Sequence, residues 1–247
     1  MKRNLFFCAL FALALASLTA NAQEDWSKVK QPRVVTPGSI TTNSAPSDAI
    51  VLFDGTNLNE WRNSDGSDAS WIINKDGTMT VNKSTGDILT RRNFKNYQLH
   101  LEWKVPADVT GSGQSRVNSG VYMQNIYEIQ ILDSYDNLTY PYGSAGSIYN
   151  QSSPLVNAMR KPGEWNVYDI IYTAPVFGAD GNYVRKPTIT IIHNGVLVQN
   201  NTEIIGRSES GDFVRDVKEH GDGPIKLQSH GDPSEPISFR NIWIREL

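Results

Sequence analysis

The sequence predicts an all-β protein, a sandwich of two antiparallel sheets. Three observations carry that reading. After the N-terminal apolar run, no stretch of ten residues or more repeats its apolar positions with helical spacing. The chain instead offers many short segments that alternate apolar and polar residues, the mark of half-buried strands. Turn pairs rich in Gly, Asp and Asn separate these segments at short intervals, and no repeat of 20–50 residues is present.

The first 22 residues stand apart from the fold. Lys2 and Arg3 precede an almost wholly apolar run from Leu5 to Leu18, and Ala20-Asn21-Ala22 forms a small-residue cleavage signature. This is the pattern of a secretory signal peptide, and the run is too short to span a bilayer. The expectation is an exported protein, periplasmic or extracellular after cleavage, with no membrane insertion of the mature chain. Cys8 is the only cysteine, so the mature chain has no disulfide, thiol nucleophile or Cys-ligated metal. Mature Lys+Arg number 21 against 26 Asp+Glu, a net charge of −5 that attracts neither nucleic acid nor an anionic membrane. Residues 23–47 are rich in Pro, Ser, Thr and Asn. They read either as a flexible N-terminal segment or as a strand laid on the domain.

A single domain is expected over 48–247. Ala49–Phe53 is a short apolar strand closed by Asp54-Gly55, and Leu58 and Trp61 follow at the spacing of a short helical turn. Trp71–Ile73 and Met79–Val81 flank Asp76-Gly77 as a hairpin, and Ile88–Thr90 is a further strand. Tyr97–Lys104 alternates cleanly, with Gln98, His100 and Glu102 on its polar side. Arg116–Gln124 and Tyr127–Ser134 form the next hairpin, with Asn125-Ile126 as its loop. Trp165–Thr173 carries apolar residues on both faces, as a central strand does. Asn194-Gly195 is the strongest two-residue hairpin signal in the chain. Pro224–His230 and Ile237–Glu246 are the closing strands, and the large aromatics Trp61, Trp71, Trp103 and Trp243 are expected in the core. Residues 135–162 lack periodicity but hold several aromatics, which predicts a structured rim rather than a disordered loop.

The chemistry is expected on one polar face. If Tyr97–Lys104 and the 116–134 hairpin form a three-stranded meander, His100, Glu102, Asn118, Tyr122, Glu128 and Gln130 share the side away from the core. Lys226, Gln228 and His230 join them from a later strand. Glu102 and Glu128 are a candidate carboxylate pair for glycoside chemistry, one as acid and one as base or nucleophile, and His230 is a candidate for proton transfer or metal ligation. Arg116, Asn118, Tyr122, Gln130, Lys226 and Gln228 are candidate substrate contacts, and Tyr149 and Trp165 candidate stacking rings. Each also has a plainer reading as a solvated strand residue or a core aromatic. Asp133 falls on the apolar parity and reads as a turn cap. A divalent metal is compatible with the Glu, His and Gln set, but no diagnostic ligand spacing is present. The nucleophile-elbow, zincin, phosphate-loop, dinucleotide and EF-hand patterns are all absent.

Several ordered motifs together resemble a known family. Leu52-Phe53-Asp54-Gly55-Thr56-Asn57-Leu58-Asn59-Glu60-Trp61, Asn118-Ser119-Gly120-Val121-Tyr122, Tyr127 through Ser134, Gly163-Glu164-Trp165-Asn166, His193-Asn194-Gly195, Gly223 through Gly231 and Phe239 through Arg245 are similar to the 3-keto-disaccharide hydrolase domain. The resemblance covers Ile50 to Leu247. It implies a concanavalin A-like jelly roll of the kind common in exported proteins of Bacteroidetes-type bacteria. It also implies hydrolysis of oligosaccharides or glycosides oxidised at C3 of the sugar, by base-assisted elimination and hydration; in that chemistry Glu128 or His230 is the expected base, Glu102 the expected acid, and Arg116 or Lys226 the group that steadies the enolate oxygen. Two other functions fit the same fold: a non-catalytic, lectin-like module and a direct glycosidase on unoxidised sugars.

Overall fold

The computed structural model describes residues 26–34, 45–209, 212–215 and 217–247; the signal peptide expected over 1–22 lies outside the described residues. In chain order the strands are β1 (Arg33–Val34), β2 (Ile50–Phe53), β3 (Trp61–Asn63), β4 (Ile72–Ile73), β5 (Met79–Thr80), β6 (Ile88–Thr90), β7 (Tyr97–Lys104), β8 (Asn118–Met123), β9 (Tyr127–Leu132), β10 (Val156–Asn157), β11 (Trp165–Thr173), β12 (Val176–Phe177), β13 (Tyr183–Arg185), β14 (Thr188–His193), β15 (Val196–Glu203), β16 (Arg207–Glu209), β17 (Asp212–Val214), β18 (Lys226–Leu227) and β19 (Ser238–Glu246). The remaining elements are short 3-10 turns. Among the described residues no helix is long and apolar enough to cross a membrane.

Two antiparallel sheets make the sandwich. The large sheet runs β15-β14-β11-β7-β19-β5-β4, with β2 also paired to β19, and the small sheet runs β3-β6-β18-β8-β9. Their inner faces carry the alternate apolar residues, including Leu101, Trp103, Tyr168 and Phe239 from one sheet and Val121, Met123, Ile129 and Leu227 from the other. Burying this surface is the main source of stability, since a chain with one cysteine has no internal disulfide to constrain it.

Three tyrosines of the large sheet cross the core to the β8–β9 hairpin. Tyr97 Oη meets Met123 Sδ at 3.3 Å, Tyr168 Oη donates to the Gln130 carbonyl at 2.8 Å, and Tyr172 Oη donates to Gln124 Oε1 at 2.8 Å. A buried hydroxyl needs a partner, so each bond ties the hairpin to the opposite sheet at a fixed height. The hairpin turn uses left-handed backbone at Gln124 (φ 53°) and Asn125 (φ 61°), the geometry that matches strand twist. The Asn194-Gly195 turn between β14 and β15 does the same, with φ of 54° and 80°.

Three expectations need correction. β7 does not join β8 in a meander. It lies in the large sheet between β11 and β19, because residues 105–117 carry the chain across the sandwich instead of turning back beside it. Leu58 and Trp61 sit on a turn leading into β3, closed by a Trp61 N to Leu58 O bond of 2.8 Å, and not on a helix. Trp243, read from its pattern as core, lies on the outer side of the large sheet stacked on His100.

The rim over 135–162 is structured. Its inner part lies along the free edge of β9: Gln130 N bonds Ser147 O at 3.0 Å, Gly146 N bonds Gln130 O at 3.0 Å, and Tyr149 N bonds Glu128 O at 3.1 Å. Of the N-terminal segment, residues 26–34 are described, and there β1 pairs in parallel with β10.

Candidate active site

Glu128 is the centre of the polar face of the small sheet. In β9, Tyr127, Ile129 and Ile131 enter the core, so the period of two sends Glu128 and Gln130 to the other side. The register places Tyr122 of β8 directly opposite Glu128, and Lys226 of β18 directly opposite Tyr122. Three adjacent strands therefore bring a carboxylate, a phenol and an ammonium into one row.

The row is closely coupled. Tyr122 and Glu128 are direct cross-strand partners, and Gln228 Nε2 donates to Tyr122 Oη at 3.1 Å. Lys226 Nζ sits 3.6 Å from the centre of the Tyr122 ring, a cation–π contact, and 3.4 Å from Asp87 Oδ2. Glu128 is only 5 % exposed. Burial pushes its carboxyl up to about 7, against the opposing pull of the Tyr122 hydroxyl, Lys226, His230 and Ser208. Burial also raises the Tyr122 phenol, with the Glu128 charge as the next cause.

His230 enters from beyond β18. Its Nδ1 lies 3.2 Å from Asp232 Oδ2 and accepts the Asp232 backbone N–H at 3.1 Å. Asp232 is held near 2: burial opposes this, but His230, the Ser234 hydroxyl and backbone N–H, and Lys83 outweigh it. The imidazole is about one-third exposed, open to a ligand on the face.

The other sequence candidates divide sharply. Asn118 and Gln130 belong to a buried amide network rather than to the open surface. Asn118 Nδ2 donates to Gln114 O at 3.0 Å, and Gln130 Nε2 donates to Gln114 Oε1 at 2.9 Å and Gly143 O at 3.2 Å. Gln130 is fully buried, so it anchors the rim and does not face a ligand directly. Arg116 is spent on Asp133, with Nε 2.7 Å from the buried Oδ2. Tyr149 stays with the site, its hydroxyl 2.5 Å from that of Tyr140.

Glu102, His100 and Trp165 are on the opposite side of the molecule. They lie on the outer face of the large sheet. Glu102 is bound there by Arg240 Nε at 2.6 Å and Asn241 Nδ2 at 2.8 Å. Trp165 carries the Arg240 guanidinium 4.1 Å above its ring. The shared face expected for Glu102 and Glu128 does not exist, because β7 and β9 lie in different sheets. Sequence reasoning also missed Asp87, Gln114, Tyr140, Ser208 and Asp232. Only Asp232, two residues beyond His230, had a local signal; Ser208 comes from β16 and the others from remote connecting segments. Among the described residues no three His, Asp or Glu side chains converge as a metal site.

Comparison with known proteins places the chain in a family. Residues 48–245 match the family described as the 3-keto-alpha-glucoside-1,2-lyase-like domain. A putative glycosyl hydrolase from Parabacteroides distasonis, known from its crystal structure, is 55% identical, with a TM-score of 0.81 over 96% of this chain and 100% of that one. Another putative glycosyl hydrolase of the same organism is 24% identical over 81% of this chain and 99% of its own, and with a TM-score of 0.55 it shares the fold. The 3-keto-disaccharide hydrolase of Bacteroides thetaiotaomicron is 26% identical over 97% of each chain. With the family matched from β2 to β19, the chain belongs to the 3-keto-alpha-glucoside-1,2-lyase-like domain family.

Proposed function

We propose that this protein cleaves glycosides whose sugar is oxidised at C3, by elimination followed by hydration, in the exported compartment that its N-terminal sequence suggests. The observation that carries the reading is Glu128: a buried carboxyl, raised to about 7, flanked by Tyr122, Lys226 and His230 on one face. A base poised near neutral pH both holds and releases a proton readily.

A ketone at C3 acidifies the hydrogen on C2. Glu128 takes that proton, and the electron pair moves into the enolate, whose negative charge gathers on the C3 oxygen. Lys226 supplies positive charge for that oxygen, and the Tyr122 hydroxyl a donor beside it. The enolate then collapses, expelling the C1 oxygen with its bonding pair. His230, backed by Asp232, hands a proton to the leaving oxygen. Water adds at C1 of the resulting enone and a proton returns to C2, which gives the free 3-keto sugar. Gln228 and Tyr149 border the face where sugar hydroxyls and ring would lie.

A direct glycosidase has less support. That chemistry needs a second carboxyl facing the first across the scissile bond. Glu102 is in the other sheet, Asp87 is engaged by Lys226 and the Ser229 N–H, and Asp232 is held by its own loop. The names of the relatives agree with a carbohydrate-active hydrolase. The test is to offer methyl 3-keto-α-glucoside and methyl α-glucoside and to follow release of the free sugar. Turnover of the keto form alone is expected. Turnover of neither, or of both at equal rates, overturns the proposal.

A further inference from the structure

A row of aromatic rings leads away from Glu128, and the N-terminal segment supplies its far end. Tyr149 is bonded through its backbone to β9 beside Glu128, and its hydroxyl meets that of Tyr140. The Tyr140 ring lies 6.2 Å from both the Tyr149 and Tyr142 rings, and 5.5 Å from Trp26. Tyr142 is 41 % exposed and Trp26 is partly exposed. Large rings are normally buried, and a cluster of them at the surface beside a polar site marks a binding surface.

The segment bearing Trp26 is braced in place. Gln31 Nε2 donates to Trp26 O at 2.9 Å and to Val29 O at 3.3 Å, turning the chain back on itself. Arg33 and Val34 then pair with Val156 and Asn157, and Asn157 Nδ2 is fastened to Ser134 O at 2.8 Å. Trp26 nonetheless keeps part of its surface exposed beside the Tyr140 ring.

We propose that Trp26, Tyr140 and Tyr142 form a stacking platform for the second ring of the substrate, the sugar or aglycone beyond the bond that is cleaved. The proposal rests on the reading of Glu128 as the base, which fixes where the first ring lies. Aromatic faces hold the C–H-rich face of a sugar, and a ring so far from the reacting carbon is bound alike in ground and transition states. Loss of the platform therefore raises KM and leaves kcat in place. It also makes the enzyme selective for disaccharide-sized substrates over those with a small leaving group.

The test compares the wild-type protein with the Trp26→Ala, Trp26→Phe and Tyr142→Ala variants on trehalose oxidised at C3 of one ring and on methyl 3-keto-α-glucoside. In Trp26→Ala and Tyr142→Ala, KM for the disaccharide is expected to rise about tenfold with kcat preserved and the methyl glycoside unaffected. Trp26→Phe is expected to restore most of the loss. Equal effects on both substrates, or none on either, overturn the platform. A second readout does not need turnover: in protein labelled with 15N-tryptophan, the Trp26 indole signal, assigned by its absence in Trp26→Ala, is expected to shift on titration with trehalose. A fixed signal overturns the platform. If the wild-type protein turns over neither keto substrate, the reading of Glu128 fails, and the indole titration alone decides the platform.

Discussion

Gly120 leaves the room that the Glu128 carboxylate fills across the β8–β9 hairpin: a Cβ built on Gly120 would lie 2.8 Å from Glu128 Oε1 and 3.0 Å from the Tyr122 ring. The glycine is the floor on which the carboxylate rests. Its backbone is not left-handed, so the requirement is for space and not for conformation. Gly120→Ala is expected to displace the carboxylate and lower kcat at least tenfold, with a stability loss of about 1–3 kcal/mol from overpacking. Thermal unfolding and steady-state kinetics on the same sample separate the two effects.

Glu128→Gln keeps the shape and removes the base. Turnover of a 3-keto glycoside is expected to fall about 10²–10⁴-fold while ligand affinity is retained, measured by calorimetric titration. The wild-type rate should rise with pH through about 7, as the carboxyl loses its proton.

The same residue has a stability signature. Folding raises its carboxyl from the ordinary 4.5 to about 7, so the folded state holds the proton more tightly than the unfolded one. Stability is therefore full below 4.5 and is lost as pH rises through 7, by about 3 kcal/mol at most. Glu128→Gln escapes this loss, and its denaturation midpoint should exceed that of the wild type at pH 8 and converge with it near pH 4.

His100 titrates in a higher window. It is buried against Trp243, which by itself would lower its pKa, but the Asp169 carboxylate at 2.7 Å and Glu102 at 3.7 Å outweigh burial and raise it from 6.5 to about 9. The neighbouring β19 adds Asn241, 3.3 Å from Nε2, and Arg240, which pairs with Glu102. The imidazolium contributes its full stability below 6.5 and loses it as pH rises through 9. Asp169→Asn is expected to lower the His100 pKa, read by NMR titration, and to cost about 1–2 kcal/mol at pH 6, with a smaller cost at pH 10.

Glu102→Gln tests the division between the two faces. It breaks a buried charge cluster with Arg240 and His100, and about 3 kcal/mol of destabilisation is expected. At a temperature where the variant remains folded, its kcat should match the wild type. A large fall in kcat without loss of stability would place Glu102 in the chemistry after all.

What the sequence disclosed was local. The alternation in 127–132 put Glu128 on the polar side and named Tyr122, Lys226, Gln228 and His230 as companions, because adjacent strands with a clear period leave little freedom. What it concealed was pairing at a distance. Tyr97–Lys104 has the same pattern whether it lies beside β8 or across the sandwich from it, so Glu102 and His100 looked like neighbours of Glu128. The cross-core bonds of Tyr97, Tyr168 and Tyr172 are equally invisible to a period of two. Trp26 was beyond reach for another reason: a Pro- and Ser-rich stretch offers no periodicity, and its place is set by one parallel pairing with β10.

The order of strands also sets an order of events. β19, the last strand in the sequence, is paired with β7, β5 and β2, so the large sheet stays divided until residues 238–246 arrive. During synthesis the earlier strands have unpaired edges and half a core, and the decisive contacts join residues far apart in sequence. Such a topology folds slowly and only once the chain is whole. A chain ending before Ser238 would lack the strand that joins the two halves of its largest sheet, and the apolar surface left open would send it to aggregation or proteolysis rather than to a smaller working enzyme.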